Sequence, residues 1–478
     1  MTMMGIAEAA RALDAGIRGS DVAFDGVNTD SRAVRRGDLF VALKGERFDG
    51  HRFVAQAAAA GAVAAMVEDA GSGIQDTEIK VPLIVVRDTR VALGRLGAYW
   101  RSKFTMPLVG LTGSSGKTTV KEMLALILRE AAGTGSRIPN SESCVLATRG
   151  NLNNDIGMPL MLLELRPEHR YAVIEMGANH QGEIAQLAAT CQPDVGLVIN
   201  AGPAHLEGFG GMEGVARGKG EMFEALGVDG AAVINADDRF AAFWHGLARK
   251  AGRIVTFGMR ERADFSAKGV RDEAVSDGFV TEFELASPLG QRRIRLALAG
   301  EHNVMNALAA AAAASAAGAS LDAIEQGLSA MRPVSGRLQS RPACNGARLI
   351  DDSYNANPGS VRAGLASLAK VPGEHWLVLG EMRELGPGSA SLHAEIGELA
   401  SKGGVKRLLA VGDDARHAVE AFGPGATWFA SVEDLVDAAK SGLHAGVTIL
   451  VKGSRSNRLE RVADALATGG AETGMGSH

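Results

Sequence analysis

The sequence of 478 residues lacks several features that define other classes of protein. Its three cysteines, Cys144, Cys191 and Cys344, are too scattered for a disulfide framework or a zinc site, so we expect a reducing, cytoplasmic location. The 50 Lys and Arg are outnumbered by 55 Asp and Glu, and this net charge of −5 argues against nonspecific nucleic-acid binding, which needs a basic surface. There is no apolar run of about 18 residues, so we expect no membrane span. Residues 1–10 do not resemble a signal peptide.

The composition is otherwise typical of a globular α/β protein. Hydrophobic residues make up 46% of the chain, which excludes a disordered chain because there is enough apolar surface for several cores. The 61 glycines and the low aromatic content of 5% suit turns between strands and Ala-rich helices better than a β-sandwich. At about 100–200 residues per domain, the length predicts about three domains, which we place at residues 1–88, 89–334 and 335–478.

Apolar runs that alternate with helical patterns predict the first two domains. The first is expected to be a small α/β domain, with strands at 38–43, 62–67 and 82–86, a helix at 52–61 and a connecting helix at 89–103. The central domain has predicted strands at 107–112, 171–175, 195–200 and 231–235. Long apolar strands separated by helices predict a mostly parallel sheet with helices on both faces. A hairpin at 279–298 and a helix at 302–318 complete this domain.

The third domain repeats strand–helix units and is predicted to be Rossmann-like. Its expected strands lie at 348–352, 376–380, 407–411 and 448–452. A hinge is expected at Ser335 and Gly336, after the helix-breaking Pro333. We expect residues 472–478 to be a frayed end.

The strongest functional signal is the sequence TGSSGKTT between a predicted strand and an amphipathic helix. Its glycines let backbone N–H groups approach phosphate oxygens, Lys117 can reach the β- and γ-phosphates, and Thr118 can hold magnesium. The full phosphate-loop pattern fails at Leu111, which leaves the shorter G-x-x-G-K-T. An ordinary glycine-rich turn is the alternative; the S-x-x-K of penicillin-binding proteins is disfavoured because S-D-N and K-T-G are absent. The predicted phosphate-binding residues are Gly113, Ser114, Ser115, Gly116, Lys117, Thr118 and Thr119.

Three further polar side chains of the central domain stand out in the sequence. Glu175 ends an apolar strand, where a carboxylate can point into the ligand crevice and hold magnesium, or simply face water. His205 follows another strand and could be a ligand, a base or a solvated residue. Lys219, taken alone, is expected to be a surface lysine.

Polar residues near the third domain are also candidates. Asn303, at the start of a predicted helix, could read an adenine edge or cap the helix. Arg337 could bind a phosphoryl oxygen across a domain cleft, or form an interdomain salt bridge. Asp351 and Asp352 place two acids at a strand end before a turn-rich loop.

In combination, these motifs resemble the Mur ligases. TGSSGKTT, IEMGANHQGEIA, AHLEGFG, GEHNVMNALAA, SGRL and DDSYNANP occur in that family's order, and the resemblance covers nearly the whole chain. The stretch from Thr29 to Gly45 looks like the family's N-terminal, UDP-sugar-binding domain. GNLNNDIG and DDSYNANP look characteristic of the member that adds D-alanyl-D-alanine.

The resemblance implies ATP bound between the central and third domains, with Mg²⁺, as two ions. It implies that Lys117 and Thr118 meet the phosphates and a magnesium ion, and that Glu175 and His205 hold a second ion. Asn303 would meet the adenine, and Arg337 and Asp352 the phosphates and ribose. Lys219 matches a position that several Mur ligases carbamylate, although here it follows Arg217 and Gly218 rather than small residues.

The resemblance also implies the substrates. A monomeric cytoplasmic enzyme would join D-alanyl-D-alanine to UDP-N-acetylmuramoyl-tripeptide through an acyl phosphate, in peptidoglycan precursor synthesis. The implied UDP-sugar-binding residues are Ser31, Arg32, Lys44, Gly45 and Asn151. Folylpolyglutamate synthetase is the nearest alternative enzyme, but it lacks the DSR…GDLFVALKG region. A GTP-type switch would need N-K-x-D, which the sequence does not contain. The third peptide residue and the general base are not readable from the sequence.

Overall fold

The first domain is organised around a short mixed sheet. A computed structural model describes residues 2–45, 48–69, 80–133, 144–275 and 278–468 of the chain. In chain order, this region contains β1 (Met4–Gly5), α1 (Ile6–Leu13), β2 (Gly16–Arg18), β3 (Ala23–Phe24), β4 (Gly26–Asn28), β5 (Asp38–Val41), α2 (Val54–Ala60), β6 (Ala64–Glu68), β7 (Leu83–Val86) and α3 (Thr89–Arg101). The sheet order is β2-β7-β6-β5-β4, with β4 to β7 parallel and β2 antiparallel.

The predicted elements of this domain are present, with ends that differ by a few residues. Helix α1 was not predicted, although its buried residues Ile6, Ala9, Ala10 and Leu13 follow a helical spacing. The strands β1 to β4 are two or three residues long, which is too short to display the alternation of apolar and polar residues that predicts a strand.

The central domain contains a parallel sheet of order β13-β12-β11-β8-β10-β9. Its elements are β8 (Leu108–Thr112), α4 (Lys117–Gly133), β9 (Val145–Ala147), α5 (Gly157–Leu162), β10 (Tyr171–Glu175), α6 (Glu183–Cys191), β11 (Val195–Val198), α7 (Leu206–Phe209), α8 (Met212–Glu224), β12 (Ala231–Asn235), α9 (Ala241–Leu247), β13 (Arg253–Phe257), β14 (Ser266–Val275), β15 (Gly278–Ser287), β16 (Gly290–Leu296), α10 (Glu301–Ala316) and α11 (Leu321–Ala330).

Alternate residues of this sheet enter two different cores. Ala172 and Ile174 of β10 pack with residues of α3, α5, α6 and α8, whereas Val173 packs with residues of α4 and α10. The prediction of helices on both faces is therefore confirmed. The predicted hairpin corresponds to β15 and β16, but β14 was missed. A register shift between Lys268 and Arg271 breaks the alternation of β14 and hides it from a sequence pattern.

The third domain has a sheet of order β17-β18-β22-β19-β20-β21, parallel except for β17. Its elements are β17 (Gln339–Pro342), β18 (Arg348–Asp352), α12 (Pro358–Leu368), β19 (Glu374–Gly380), α13 (Ser389–Lys402), β20 (Val405–Val411), α14 (Arg416–Phe422), β21 (Ala426–Phe429), α15 (Val432–Gly442), β22 (Val447–Lys452) and α16 (Glu460–Leu466). The α/β fold class is confirmed; the domain boundaries at 88 and 334 remain a prediction. The expected frayed end at 472–478 lies outside the described residues.

An apolar contact joins the central and third domains. Phe279 at the start of β15 and Ala299 before α10 are buried in the same core as Leu338 and Ile350 of the third domain. The side chains of Lys370 and Asp272 form an ion pair beside this contact. None of the helices within the described ranges is long and apolar enough to cross a membrane.

Candidate active site

The glycine-rich loop connects β8 to the first turn of α4. Gly116 has φ +85°, and a Cβ at this position would collide with Oδ1 of Asn306 on α10. Glycine is therefore required both by the backbone conformation and by the neighbouring side chain. Lys117 is half-buried rather than turned to solvent, and its Nζ donates to the carbonyl oxygen of Gly113 at 2.7 Å.

Asn200, just after β11, fixes the conformation of the loop. Its Oδ1 accepts hydrogen bonds from the backbone N–H groups of Ser114 (3.1 Å) and Ser115 (3.0 Å), and its Nδ2 donates to the Ser115 carbonyl at 3.1 Å. β11 lies beside β8 in the sheet, so the two strand ends bring these groups together. The predicted strand at 195–200 ends at Val198, which leaves Asn200 free to turn toward the loop.

The loop opens into a cleft of about 930 Å³ between the central and third domains. Residues of the central and third predicted domains line it, because the carboxyl ends of parallel strands meet at one edge of each sheet. The sequence-predicted residues that line the cleft are Ser114, Ser115, Gly116, Lys117, Thr118, Thr119, Asn151, Glu175, His205, Asn303, Arg337 and Asp352.

Glu175 is 3% exposed and is held from several directions. Its Oε2 accepts from Oγ1 of Thr118 (3.2 Å), its Oε1 accepts from Nδ2 of Asn153 (2.9 Å), and its backbone N–H donates to Oγ1 of Thr148. Glu175 therefore does not simply face water. Sequence reasoning missed Asn153, although it lies in GNLNNDIG, one of the motifs that carry the family resemblance.

The oxygen atoms of Thr118 and Glu175 fit magnesium. Within the described part of the chain, no group of three or more His, Cys, Asp or Glu could enclose a metal. Magnesium does not need such a group, because it is commonly held by one or two carboxylates together with substrate phosphates and water. A hydroxyl and a carboxylate 3.2 Å apart at the phosphate loop are donors of this type.

His205 lies in the left-handed region, with φ 54°, immediately before α7. Its Nδ1 contacts the carboxylate of Glu384 in the third domain. Burial lowers the pKa of His205; Glu384 opposes that shift, and the nearby Lys117 and Lys219 add to it. A neutral imidazole in this position can accept a proton or bind a metal.

Lys219 is buried, and the prediction of a surface lysine is wrong. On α8 its side chain is 1% exposed, its Nζ donates to the Ala178 carbonyl at 3.2 Å, and it lies 5.0 Å from the centre of the Phe209 ring. Burial, reinforced by the charge of Lys117, lowers the pKa of Lys219 to about 7. Gly218 is explained by the same packing, since a Cβ there would collide with Phe209.

Arg337 reaches the phosphate loop from the third domain. Its Nη2 donates to Oγ1 of Thr118 at 2.9 Å, and its guanidinium carbon lies 4.3 Å from the centre of the Tyr354 ring. Beside it, Nδ2 of Asn357 donates to Oγ of Ser115 at 3.0 Å. Arg337 is therefore placed as a cation over the loop, where it donates to a hydroxyl rather than to an acid.

Asp352 ends β18 and is paired with Lys452 at the end of the neighbouring β22. Lys452 Nζ lies 2.6 Å from Oδ2 of Asp352, and it donates to the Asn355 carbonyl at 3.0 Å. Burial raises the pKa of Asp352, and Lys452 opposes the shift. Sequence reasoning missed Lys452, which is 2% exposed and lines the cleft; a lysine that ends an apolar strand was the available signal.

Asn303 lies in the first turn of α10 without capping it. Gly300 occupies the cap position, and the amide of Asn303 donates to the Ala299 carbonyl at 2.8 Å and accepts from Asn306 at 3.1 Å. The helix-cap interpretation is therefore wrong. Asn303 borders the cleft next to His302, whose pKa burial lowers to about 4.

The predicted UDP-sugar residues divide into two groups. Asn151 borders the cleft. Among the described residues, Ser31, Arg32, Lys44 and Gly45 do not line it; they follow β4 and β5, whose carboxyl ends are adjacent. Nη2 of Arg32 lies 2.7 Å from Oδ2 of Asp30. This ion pair lowers the pKa of the Asp30 carboxyl to about 2.

Family models match most of the chain. The model of the Mur ligase family catalytic domain matches residues 23–101, the Mur ligase middle domain matches 111–314, and the Mur ligase glutamate ligase domain matches 336–455.

Named relatives and solved structures agree with these models. The chain is 44% identical to UDP-N-acetylmuramoyl-tripeptide–D-alanyl-D-alanine ligase of Escherichia coli K12 over 462 residues, which covers 96% of this chain and 97% of that one. Its structure superposes on MurF from Acinetobacter baumannii with a TM-score of 0.87 and 38% identity, covering 97% and 99% of the two chains. It superposes on Thermotoga maritima MurF in complex with ADP with a TM-score of 0.77 and 27% identity, covering 92% and 96%. The chain therefore belongs to the Mur ligase family of ATP-dependent, amide-bond-forming enzymes.

Proposed function

We propose that this enzyme joins D-alanyl-D-alanine to the third residue of UDP-N-acetylmuramoyl-tripeptide, with ATP, during cytoplasmic peptidoglycan precursor synthesis. The observation that carries the proposal is the meeting of Lys117, Thr118, Glu175 and Arg337 around one cleft. The names of the relatives that match nearly the whole chain support the choice of substrates.

The charges in the cleft suit the activation of a carboxylate by ATP. A carboxylate and the γ-phosphate are both anionic and repel each other, so their reaction needs cations placed in advance. Lys117 in the loop and Arg337 from the third domain would hold the phosphoryl oxygens in line with the attacking carboxylate. The carboxylate takes the γ-phosphoryl group and ADP leaves, which gives an acyl phosphate. The dipeptide amine, after losing a proton, attacks the acyl carbon, and inorganic phosphate leaves as the amide bond forms. Contact between the two domains would keep water away from that intermediate.

The remaining residues of the site are proposed to bind the nucleotide and the metal. Gly113 and Thr119 flank the loop that would cradle the phosphates, Asn303 would meet the adenine, and Asp352 would meet the ribose. Thr118 and Glu175 would hold magnesium, with His205 at a second ion. When bound, magnesium neutralises phosphate charge as the transferring group moves.

The three domains would divide the substrates among them. Residues 1–88 would bind the UDP-sugar, through Ser31, Arg32, Lys44 and Gly45, with Asn151 added from the cleft. Residues 89–334 would bind ATP, and residues 335–478 would close on it and bind D-alanyl-D-alanine. We propose that the enzyme acts as a monomer.

Phosphate release is the direct test of the proposed function. We expect release from ATP only when a UDP-N-acetylmuramoyl-tripeptide and D-alanyl-D-alanine are both present, with formation of the UDP-linked pentapeptide by mass. Omitting either substrate is the control. Release that depends on a folate and glutamate instead would contradict the proposal.

Lys219 is proposed to act as a carbamate. Carbon dioxide adds to a neutral amine, and a lysine with a pKa of about 7 is substantially neutral near pH 7, unlike an ordinary lysine. We expect Lys219→Ala to lose most of the activity, and acetate or formate to restore part of it by supplying a carboxylate in the space left. The same acids should not restore Lys117→Ala. Phosphate release that stays flat as the acid is titrated into Lys219→Ala would remove the carbamate from the mechanism.

A further inference from the structure

We propose that Arg90 and Asp155 recognise the side chain of the third peptide residue, and that they select a diamino acid with a zwitterionic end, such as meso-diaminopimelate, over lysine. This inference rests on the proposed function, since it concerns the same tripeptide. It assigns a role to two cleft residues that neither the phosphate loop nor the nucleotide requires.

Both side chains are held by local structure. Arg90 is in the first turn of α3, where Asp88 caps the helix by accepting from the backbone N–H groups of Arg90 (2.8 Å) and Val91 (2.9 Å). Asp155 lies in the loop before α5, where Oδ1 of Asn154 accepts from the Gly157 N–H at 2.8 Å. Arg90 and Asp155 therefore join the start of α3 to the loop before α5, two segments of the central domain.

The pair is bidentate and open to the cleft. Nη2 of Arg90 donates to Oδ1 of Asp155 at 2.8 Å, and Nε donates to Oδ2. The side chains are 56% and 28% exposed, and both line the cleft that contains the phosphate loop. An ion pair this exposed contributes little to stability, so a purely structural role accounts poorly for it.

The position of the pair matches the reach of the third residue. The carboxylate of that residue is the reacting group in the proposed function, so it must lie beside Lys117 and Glu175. Asn153 donates to Oε1 of Glu175. Asp155 follows two residues later, so the Cα atoms of Asn153 and Asp155 are at most about 7.6 Å apart. A diamino acid side chain with three methylenes spans about 5 Å from its Cα to the distal carbon. Its far end can therefore arrive at Asp155.

The chemistry of the pair is complementary to a zwitterion. A guanidinium has five N–H donors, so Arg90 retains donors for a ligand carboxylate while it holds Asp155. The carboxylate of Asp155 retains lone pairs for an ammonium, and Glu183, which also lines the cleft, adds negative charge. Diaminopimelate carries an ammonium and a carboxylate on one distal carbon and can engage both partners. Lysine carries the ammonium alone and engages Asp155.

The test compares two UDP-linked tripeptides, one with meso-diaminopimelate and one with lysine at the third position. We expect the unmodified enzyme to have the lower KM for the diaminopimelate substrate. Arg90→Met should raise that KM by about tenfold or more, the loss expected for a charge-assisted hydrogen bond, while the KM for the lysine substrate stays within about twofold. Asp155→Asn should raise both KM values. Arg292→Met, which removes a surface pair with Asp322 at 2.7 Å, is the matched control and should change neither.

The outcomes separate this inference from the proposed function. Equal rises of both KM values in Arg90→Met would show that the pair only positions α3 against the loop before α5, and would overturn the inference. A lower KM for the lysine substrate in the unmodified enzyme would overturn it as well. An enzyme that turns over neither tripeptide would instead contradict the proposed function.

Discussion

Replacing Lys117 with alanine should abolish ligation and leave the fold intact. The Nζ of Lys117 donates to the loop carbonyl of Gly113, so its removal costs little packing, whereas the phosphoryl group loses a cation aimed at it. Groups of this kind are worth about a hundredfold to a thousandfold in turnover when removed singly. We expect phosphate release to fall by about a thousandfold at saturating ATP, with a circular dichroism spectrum and melting temperature close to those of the unmodified enzyme.

The matched control is Lys402→Ala. Lys402 is 75% exposed and pairs with Glu398 along α13, so the substitution removes the same charge far from the loop. It should leave turnover unchanged. Turnover of Lys117→Ala that equals that of the control would mean that the glycine-rich loop does not handle phosphate.

Glu175→Gln should weaken the use of magnesium and reduce turnover by about a hundredfold. The substitution keeps the size of the side chain but removes the negative charge beside Oγ1 of Thr118. Since magnesium prefers carboxylate oxygen to a neutral amide, the midpoint of a magnesium titration should move to higher concentration. His205→Ala should move it in the same direction.

The measurement is phosphate release as a function of magnesium concentration. Glu398→Gln on α13 removes an exposed carboxylate and serves as the control. If the titrations of Glu175→Gln and of this control superimpose, Glu175 lies outside the metal site. A fall in turnover without a change in the midpoint would assign Glu175 to holding the loop through Thr118 and Asn153.

Local signals account for what the sequence predicted well. The glycine-rich turn between β8 and α4, the end of β10 at Glu175 and the order of strands and helices each depend on residues that are neighbours in the chain. Arg337 and Asp352 also stood out from the residues alone, and the resemblance to the Mur ligases added the expectation that both meet ATP in one cleft.

Contacts between distant segments account for what was missed. Asn357 contacts Ser115 across 242 residues of sequence, and Asn200 holds the loop only because β11 lies beside β8. No sequence pattern within one segment indicates that it lies beside the other segment of its pair. Lys219 was misjudged for a similar reason, since its burial depends on how α8 packs against Phe209.

The third domain contacts the central domain in two chemically different ways. This difference would favour one direction of domain opening over others. At Phe279 and Ala299 the attachment is apolar, so separation there would expose hydrocarbon to water. At the glycine-rich loop the attachment consists of hydrogen bonds and a polar contact between His205 and Glu384, which water can replace at small net cost. Rotation about the apolar side is thus easier than lifting the whole domain away. We therefore expect the enzyme to exchange its nucleotide by opening at the polar contacts near the glycine-rich loop, while the apolar contact at Phe279 and Ala299 stays in place.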